Sequence, residues 1–410
     1  MPSLSFLLCA FASVSLAKPL LKLSSTSPAG YDTSDPSVLG PTNANCERKT
    51  YSIDVTANNS LFTTEQNPDG TALTSYLQLF MGSFPYSSNF SERYQSGGAT
   101  KSVSATYSIS GTWCSPQSGA DDSVVQLLVH GIGFDSSYWN FGGPGIPSNH
   151  SYVEWAAAAG YNTFRYDRLG TGLSEHPEDA YNIVQAPTDA AIAMKIISMI
   201  STGDIGGHSG IKVIGIGHSY GSAQLNYVTS VAPELLAGVV LTGFTFNATA
   251  APLYLTSAAY TTAYEVAPAR FSSSDLSSAY LLTLAPQTGQ LNFLYYPHYT
   301  TASAKRARDT EQPVAQGVLF TFADIIGPAI DFTGFVYIVT GDKDWIFCMA
   351  NCYAVPQGST QTSILDFVGA GYPKASSFST SIPANTGHGI SAHTSAPETY
   401  KQIQAYLKAL

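Results

Sequence analysis

The sequence predicts an α/β fold: a doubly wound, mostly parallel sheet with an inserted helical cap. Three observations predict it. From residue 121 short apolar runs alternate with segments of helical period, the pattern of parallel strands buried on both faces. A Gly-x-Ser-x-Gly pentapeptide joins one such run to a helical stretch. Residues 248–333 break the alternation at a length no connecting loop reaches.

Taken in order, the chain opens with MPSLSFLLCAFASVSLA, an uncharged apolar run ending in small residues. It reads as a secretory signal peptide over residues 1–17, cleaved before Lys18 and too short to span a bilayer. Residues 18 to about 47 are rich in Ser, Thr, Pro and Asn without any period, the mark of a loose leader. Within an N-terminal extension over 18–100, Tyr51–Val55 is β-rich, as is Ala105–Trp113 beyond it. The core is expected over 101–247 and 334–410. Its strands are the runs 124–129 (VVQLLV), 161–167 (YNTFRYD), 211–217 (IKVIGIG), 238–243 (GVVLTG) and 335–340 (FVYIVT). Thr188 caps a predicted helix with Ile192, Ile196, Met199 and Ile200 on its apolar face. Ser395 and Glu398 are spaced as a capping box ahead of a terminal helix bearing Tyr400, Ile403, Leu407 and Leu410. The insertion, 248–333, carries Tyr254, Tyr260, Tyr264, Phe271, Tyr280, Phe293, Tyr295, Tyr296 and Tyr299 and reads as a small helical cap.

Composition narrows the partner. Of 410 residues only 11% are charged, with a formal net charge of −10, which excludes binding by neutralisation of phosphates and so argues against nucleic acid. No membrane span remains once the signal is removed. Loss of Cys9 with the signal leaves Cys46, Cys114, Cys348 and Cys352, an even number suited to an oxidising compartment. Three pairings are possible. Cys46 with Cys114 and Cys348 with Cys352 is favoured, because the first pair brackets a β-rich region and the second lies in one short loop. No metal site is expected, since a lone Cys-x-x-x-Cys lacks a nearby His pair. Sequons at Asn58, Asn89, Asn149 and Asn247 agree with export to the secretory pathway or the extracellular space.

The chemistry centres on Gly217-His218-Ser219-Tyr220-Gly221. A serine on a sharp strand-to-helix turn needs glycines two residues to either side, because side chains there would strike the neighbouring backbones. Serine needs a base within reach, and a third group to orient that base. Only His388 and His393 follow the last predicted core strand. His388, in a Gly-flanked loop, is preferred, and His393 reads as a solvated residue near a helix start. The acid should leave the carboxyl end of the run 335–340, where Asp342 and Asp344 both stand. Asp344 is preferred as the residue farther past the turn at Gly341. Oxyanion donors are expected from the backbone N–H of Tyr220 and of Ile132, with Gly133 as alternative, on the Gly-rich segment that follows the first core run. His130 reads as structural.

His130-Gly131 followed by Trp139, the elbow around Ser219, and Asp167-Arg168-Leu169-Gly170-Thr171-Gly172-Leu173-Ser174 together resemble the α/β-hydrolase superfamily over roughly residues 100–410. The last segment departs from the family by one residue between Arg168 and Gly170. The resemblance implies Ser219, Asp344 and His388 as a triad and 248–333 as the cap over its pocket. Members that open epoxides or remove halogens carry aspartate where Ser219 stands, so the resemblance implies cleavage of an ester, lactone or thioester. The expected activity is a secreted serine hydrolase acting on a small carboxylic ester or lactone through an acyl-enzyme, with no cofactor. The aromatic cap suggests an apolar or ring-containing substrate; those aromatics equally suit a cap core of their own. An acyltransferase or cyclase would use the same residues with an alcohol in place of water. A non-catalytic module would keep the fold alone.

Overall fold

The computed structural model describes residues 39–65, 67–83, 98–247 and 249–410. The expected signal peptide with Cys9, most of the leader and the Asn89 sequon lie outside the described residues. In chain order the main elements are β1 (Ala44–Ser60), α1 (Gly70–Ser83), β2 (Thr100–Pro116), β3 (Asp121–Val129), α2 (Tyr152–Ala158), β4 (Tyr161–Tyr166), α3 (Ala186–Thr202), β5 (Lys212–His218), α4 (Tyr220–Val231) and β6 (Gly238–Thr242). The insertion supplies α5 (Ala251–Ala258), β7 (Thr261–Thr262), α6 (Ala263–Val266), β8 (Tyr280–Leu282), α7 (Pro286–Phe293), α8 (Thr301–Asp309), β9 (Val314–Ala315) and α9 (Gln316–Thr321). The chain closes with β10 (Phe335–Val339), α10 (Trp345–Cys348), β11 (Phe378–Ser381) and α11 (Ala396–Lys408).

Eight strands form one sheet in the order β1-β2-β4-β3-β5-β6-β10-β11. From β4 to β11 all pairings are parallel, while β1 and β2 join antiparallel at one end. Every residue of β6 and β10 is buried, which requires cover on both faces and explains their unbroken apolar runs. Helix α3 packs on α4 and α2 on α11. All five core runs read from the sequence are strands.

The sheet also reaches beyond the expected core. β1, placed in an N-terminal extension, pairs with β2 from Ala44↔Pro116 to Ser60↔Thr100 and forms the edge of the same sheet. That register sets Cys46 opposite Cys114, and the two are bonded, as are Cys348 and Cys352. Gly111 in β2 leaves room for the Phe164 ring of β4, since a Cβ there would lie 2.3 Å from its Cζ. The strand β11 was not anticipated, because FSTS carries no apolar run; its four residues are all half-buried.

Five local expectations need correction. Helix α3 starts two residues before Thr188, after Gln185; the Thr188 hydroxyl faces inward and donates to Asn59 Oδ1 at 3.1 Å instead of capping. Of the predicted apolar face, Met199 is only half-buried while Ile192, Ile196 and Ile200 are buried. No capping box forms at Ser395, which bonds the Thr386 hydroxyl across 2.6 Å and leaves Glu398 to Gln402. Leu410 lies past the end of α11 and is 62% exposed. The insertion is mixed rather than helical: β7, β8 and β9 form a three-stranded antiparallel sheet. Strands of two or three residues carry too little alternation to read.

Candidate active site

Ser219 stands between the end of β5 and the start of α4 with φ 55° and ψ −118°, a region that non-glycine residues enter only when their surroundings force them. Those surroundings are visible. A Cβ on Gly217 would lie 2.6 Å from the Ser222 backbone, and one on Gly221 would lie 2.1 Å from the Val129 carbonyl oxygen. The turn packs as tightly as the pentapeptide required. Ser219 N–H donates to Thr242 O at 2.8 Å, fixing the elbow to β6.

His388 comes to this elbow from the loop before α11. Its ring centroid is 4.9 Å from that of His218, the neighbour of Ser219. Its Nδ1 bonds Asp344 Oδ2 at 2.7 Å, with both side chains fully buried. Nδ1 facing a carboxylate carries the proton, so Nε2 presents a lone pair. Nε2 is buried and has no hydrogen-bond partner among the described residues. The ring is flanked by Phe293 and Phe347, each at 5.7 Å between centroids.

The two candidate acids separate cleanly. Asp344 Oδ1 accepts from Phe347 N–H at 2.9 Å, capping α10, and its other oxygen takes the imidazole. Asp342 Oδ1 instead accepts Thr386 N–H at 3.0 Å, which ties the acid loop to the histidine loop. The Cys348–Cys352 bond closes the loop that bears Asp344. His393 corrects the sequence reading: it is fully buried, not solvated. Its Nδ1–H donates to Gly389 O at 2.8 Å, while Nε2 accepts Tyr295 N–H and Gly387 N–H at 3.0 Å. Both nitrogens are occupied, and burial pushes its pKa down to about 4.

The Gly-rich segment after β3 lies against the elbow, since a Cβ on Gly131 would sit 2.9 Å from Ser219 Cβ. His130 is structural, as expected: Arg168 N–H donates to its Nε2 at 3.1 Å and Nδ1 bonds Gly131 O at 3.0 Å. Burial and the nearby Arg168 hold it neutral. Behind Tyr220 the Arg168 guanidinium lies 4.7 Å from the ring centroid and pairs with buried Asp189 at 2.9 Å, while the Tyr220 hydroxyl donates to the same carboxylate. The backbone N–H groups of Tyr220, at the first position of α4, and of Ile132 make no hydrogen bond among the described residues.

With these distances in hand, comparison with known proteins decides the family. The profile of the alpha/beta hydrolase family matches residues 126–402, well over half of the chain. The chain belongs to the alpha/beta hydrolase family. A comparison with curated protein sequences finds no match. Among solved structures, this hydrolase is similar to a thermophilic esterase from Thermogutta terrifontis, at 12% identity over 74% of this chain and 94% of that one, with a TM-score of 0.50. It is also similar to an alpha/beta hydrolase fold protein from Chitinophaga pinensis, at 12% identity over 74% and 94% of the chains (TM-score 0.48), and to a monoacylglycerol lipase from Paleococcus ferrophilus, at 18% over 71% and 96% (TM-score 0.47). At such identities the likeness is one of fold.

Two features of the hydrolase lie where its cap meets its core. A cavity of about 370 Å³ lies under the cap, lined by Phe134, Tyr138, Phe141, Phe293, Leu294 and Ala307 among others. Neither Ser219 nor His388 lines it. Phe293 borders it and also contacts His388, so this ring marks the boundary between cavity and elbow. The second is Gln312, whose side chain reaches out of the cap to the core. Nothing in the residues around either position signals such contacts.

Proposed function

We propose that this protein is a secreted serine hydrolase that cleaves a carboxylic ester or lactone through an acyl-enzyme on Ser219. The buried Asp344–His388 pair at 2.7 Å, set beside the elbow that bears Ser219, carries the reading. In this scheme the Ser219 oxygen attacks the carbonyl carbon as His388 Nε2 takes the hydroxyl proton. Asp344 holds the tautomer and stabilises the imidazolium. The backbone N–H groups of Ile132 and Tyr220 receive the oxyanion. The imidazolium returns its proton to the leaving alkoxide, and water activated by the same nitrogen then releases the acid and restores Ser219.

The apolar walls of the cavity support an ester with an apolar or ring-containing group. Two disulfides support passage through an oxidising compartment. Asn58 is exposed on β1, and Asn247 lies at a turn where its Oδ1 accepts from Thr249, so both suit glycan attachment, with Asn149 and Asn89 as further candidates. The test is labelling of the exported protein with a fluorophosphonate, followed by turnover of an ester and lactone panel with and without added alcohols. Ser219→Ala abolishes the label. Persistent labelling of that variant defeats the assignment, and ester products with the added alcohol in place of acid would turn the reading toward an acyltransferase.

A further inference from the structure

Gln312 lies in the cap between α8 and β9 and is 8% exposed. Three of its polar groups engage the core. The backbone N–H donates to Gly133 O at 3.2 Å, Nε2 donates to Asp135 Oδ2 at 3.0 Å, and Oε1 accepts Gly172 N–H at 3.1 Å. Gly133 and Asp135 belong to the segment whose Gly131 packs against Ser219 and which carries Ile132, and Gly172 belongs to the Gly-rich loop after β4.

Those two loops already depend on one another. The buried Asp167 carboxylate accepts Ser136 N–H and Leu173 N–H, each at 2.9 Å. Gly172 is without a Cβ because one there would fall 2.4 Å from that carboxylate. Asp135 Oδ1 accepts Ser137 N–H at 2.8 Å, which starts the turn leading to Trp139. Gln312 is the cap residue that closes this network. Gly133 adopts φ +78°, where glycine meets little torsional resistance, so the peptide that follows it gains direction from an outside partner.

We infer that Gln312 is a positioning residue through which the cap sets the orientation of the oxyanion-binding segment. The inference rests on the hydrolase reading given above. A cap displaced from the core forfeits all three hydrogen bonds at once, so the segment keeps only its core-side bonds when the cap is unseated. Gln312 touches no reacting atom in this account. Its effect is therefore on stabilisation of the transition state rather than on holding the ester.

The test is Gln312→Met, which keeps volume and the backbone N–H but removes both side-chain hydrogen bonds, measured with p-nitrophenyl butyrate. The expected outcome is a kcat lowered by about 10- to 100-fold, less than the roughly 10²- to 10³-fold cost of removing an oxyanion donor outright, with KM changed by less than about threefold. The rate of phosphonylation of Ser219 should fall in parallel. Gln312→Asn keeps an amide but is one methylene too short to reach both Asp135 and Gly172, so a loss in the same direction is expected; it also stands in should the methionine variant not fold. A kcat unchanged within about twofold, or a loss confined to KM, overturns the inference. Wild-type protein that resists the phosphonate defeats the hydrolase reading itself, whereas a labelled wild type with an unaltered Gln312→Met defeats only the role of Gln312.

Discussion

The core and the cap approach the same serine by different means. In the core, Ser219, Asp344 and His388 are held by short-range packing and by hydrogen bonds to adjoining strands and loops. The cap touches this region through a few contacts: Phe293 O accepting Gly389 N–H at 2.7 Å, Tyr295 N–H donating to His393, and the three bonds of Gln312. In the proposed scheme the core thus fixes where reaction occurs, while the cap bears on what reaches it and on how the flanking loops settle. Variants in the two regions should therefore fail in different ways.

The sharpest break is expected in the core. Ser219→Ala should lower kcat on a good ester by a factor on the order of 10⁶, leaving substrate binding, read by equilibrium titration, nearly intact. Asp344→Asn should lower kcat by about 10⁴ through loss of the tautomer, whereas Asp342→Asn, which keeps an acceptor for Thr386 N–H, should cost less than about threefold. Equal losses for the two would erase the distinction between them. In the cap, Phe293→Ala removes the ring that borders both cavity and His388. It should raise the ratio of kcat/KM for p-nitrophenyl decanoate over acetate by about tenfold, a scale typical of apolar pocket changes. An unchanged ratio would mean that the cavity is no part of the substrate path.

A last effect, on stability rather than on rate, concerns the seam between the regions, and its sign follows from His393. Its folded pKa of about 4 lies below its ordinary value of 6.5, so the unfolded chain binds the proton first as pH falls. Stability from this group is intact above about 6.5 and lost on acidification toward 4, by about 3 kcal/mol in total. Protonation of Nε2 also removes the acceptor for Tyr295 N–H, freeing one cap contact. Urea unfolding at stepwise lower pH should show this slope, and His393→Gln should flatten it. An identical slope in the variant would assign the acid sensitivity to other buried histidines, such as His218, which burial also holds neutral.

How far the sequence could be read follows the same division. Core strands announce themselves, because a strand buried on both faces is an unbroken apolar run; β6 and β10 were read almost to the residue. The elbow was legible because steric need and residue type coincide at Gly217 and Gly221. The choice of Asp344 over Asp342 and of His388 over His393 rested on chain position, and the separating facts are hydrogen bonds between residues more than forty positions apart. His393 misled because its neighbours are polar while one of its partners, Tyr295, comes from the distant cap. The cap resisted reading because its strands are two or three residues long and its aromatics fit both a small core and a pocket wall.

The long outer strand β1 has one more consequence. It runs 17 residues along the edge of the sheet formed by the described residues, and a free edge of that length is a template for any other extended chain. Glu47, Lys49 and Asp54 point outward along it, as does Asn58, whose side chain would carry a sugar in the proposed secreted form. Charge, and bulk where a sugar is attached, discourage a second molecule from adding a strand, so this flank favours a dispersed protein at high concentration over fibrils built edge to edge.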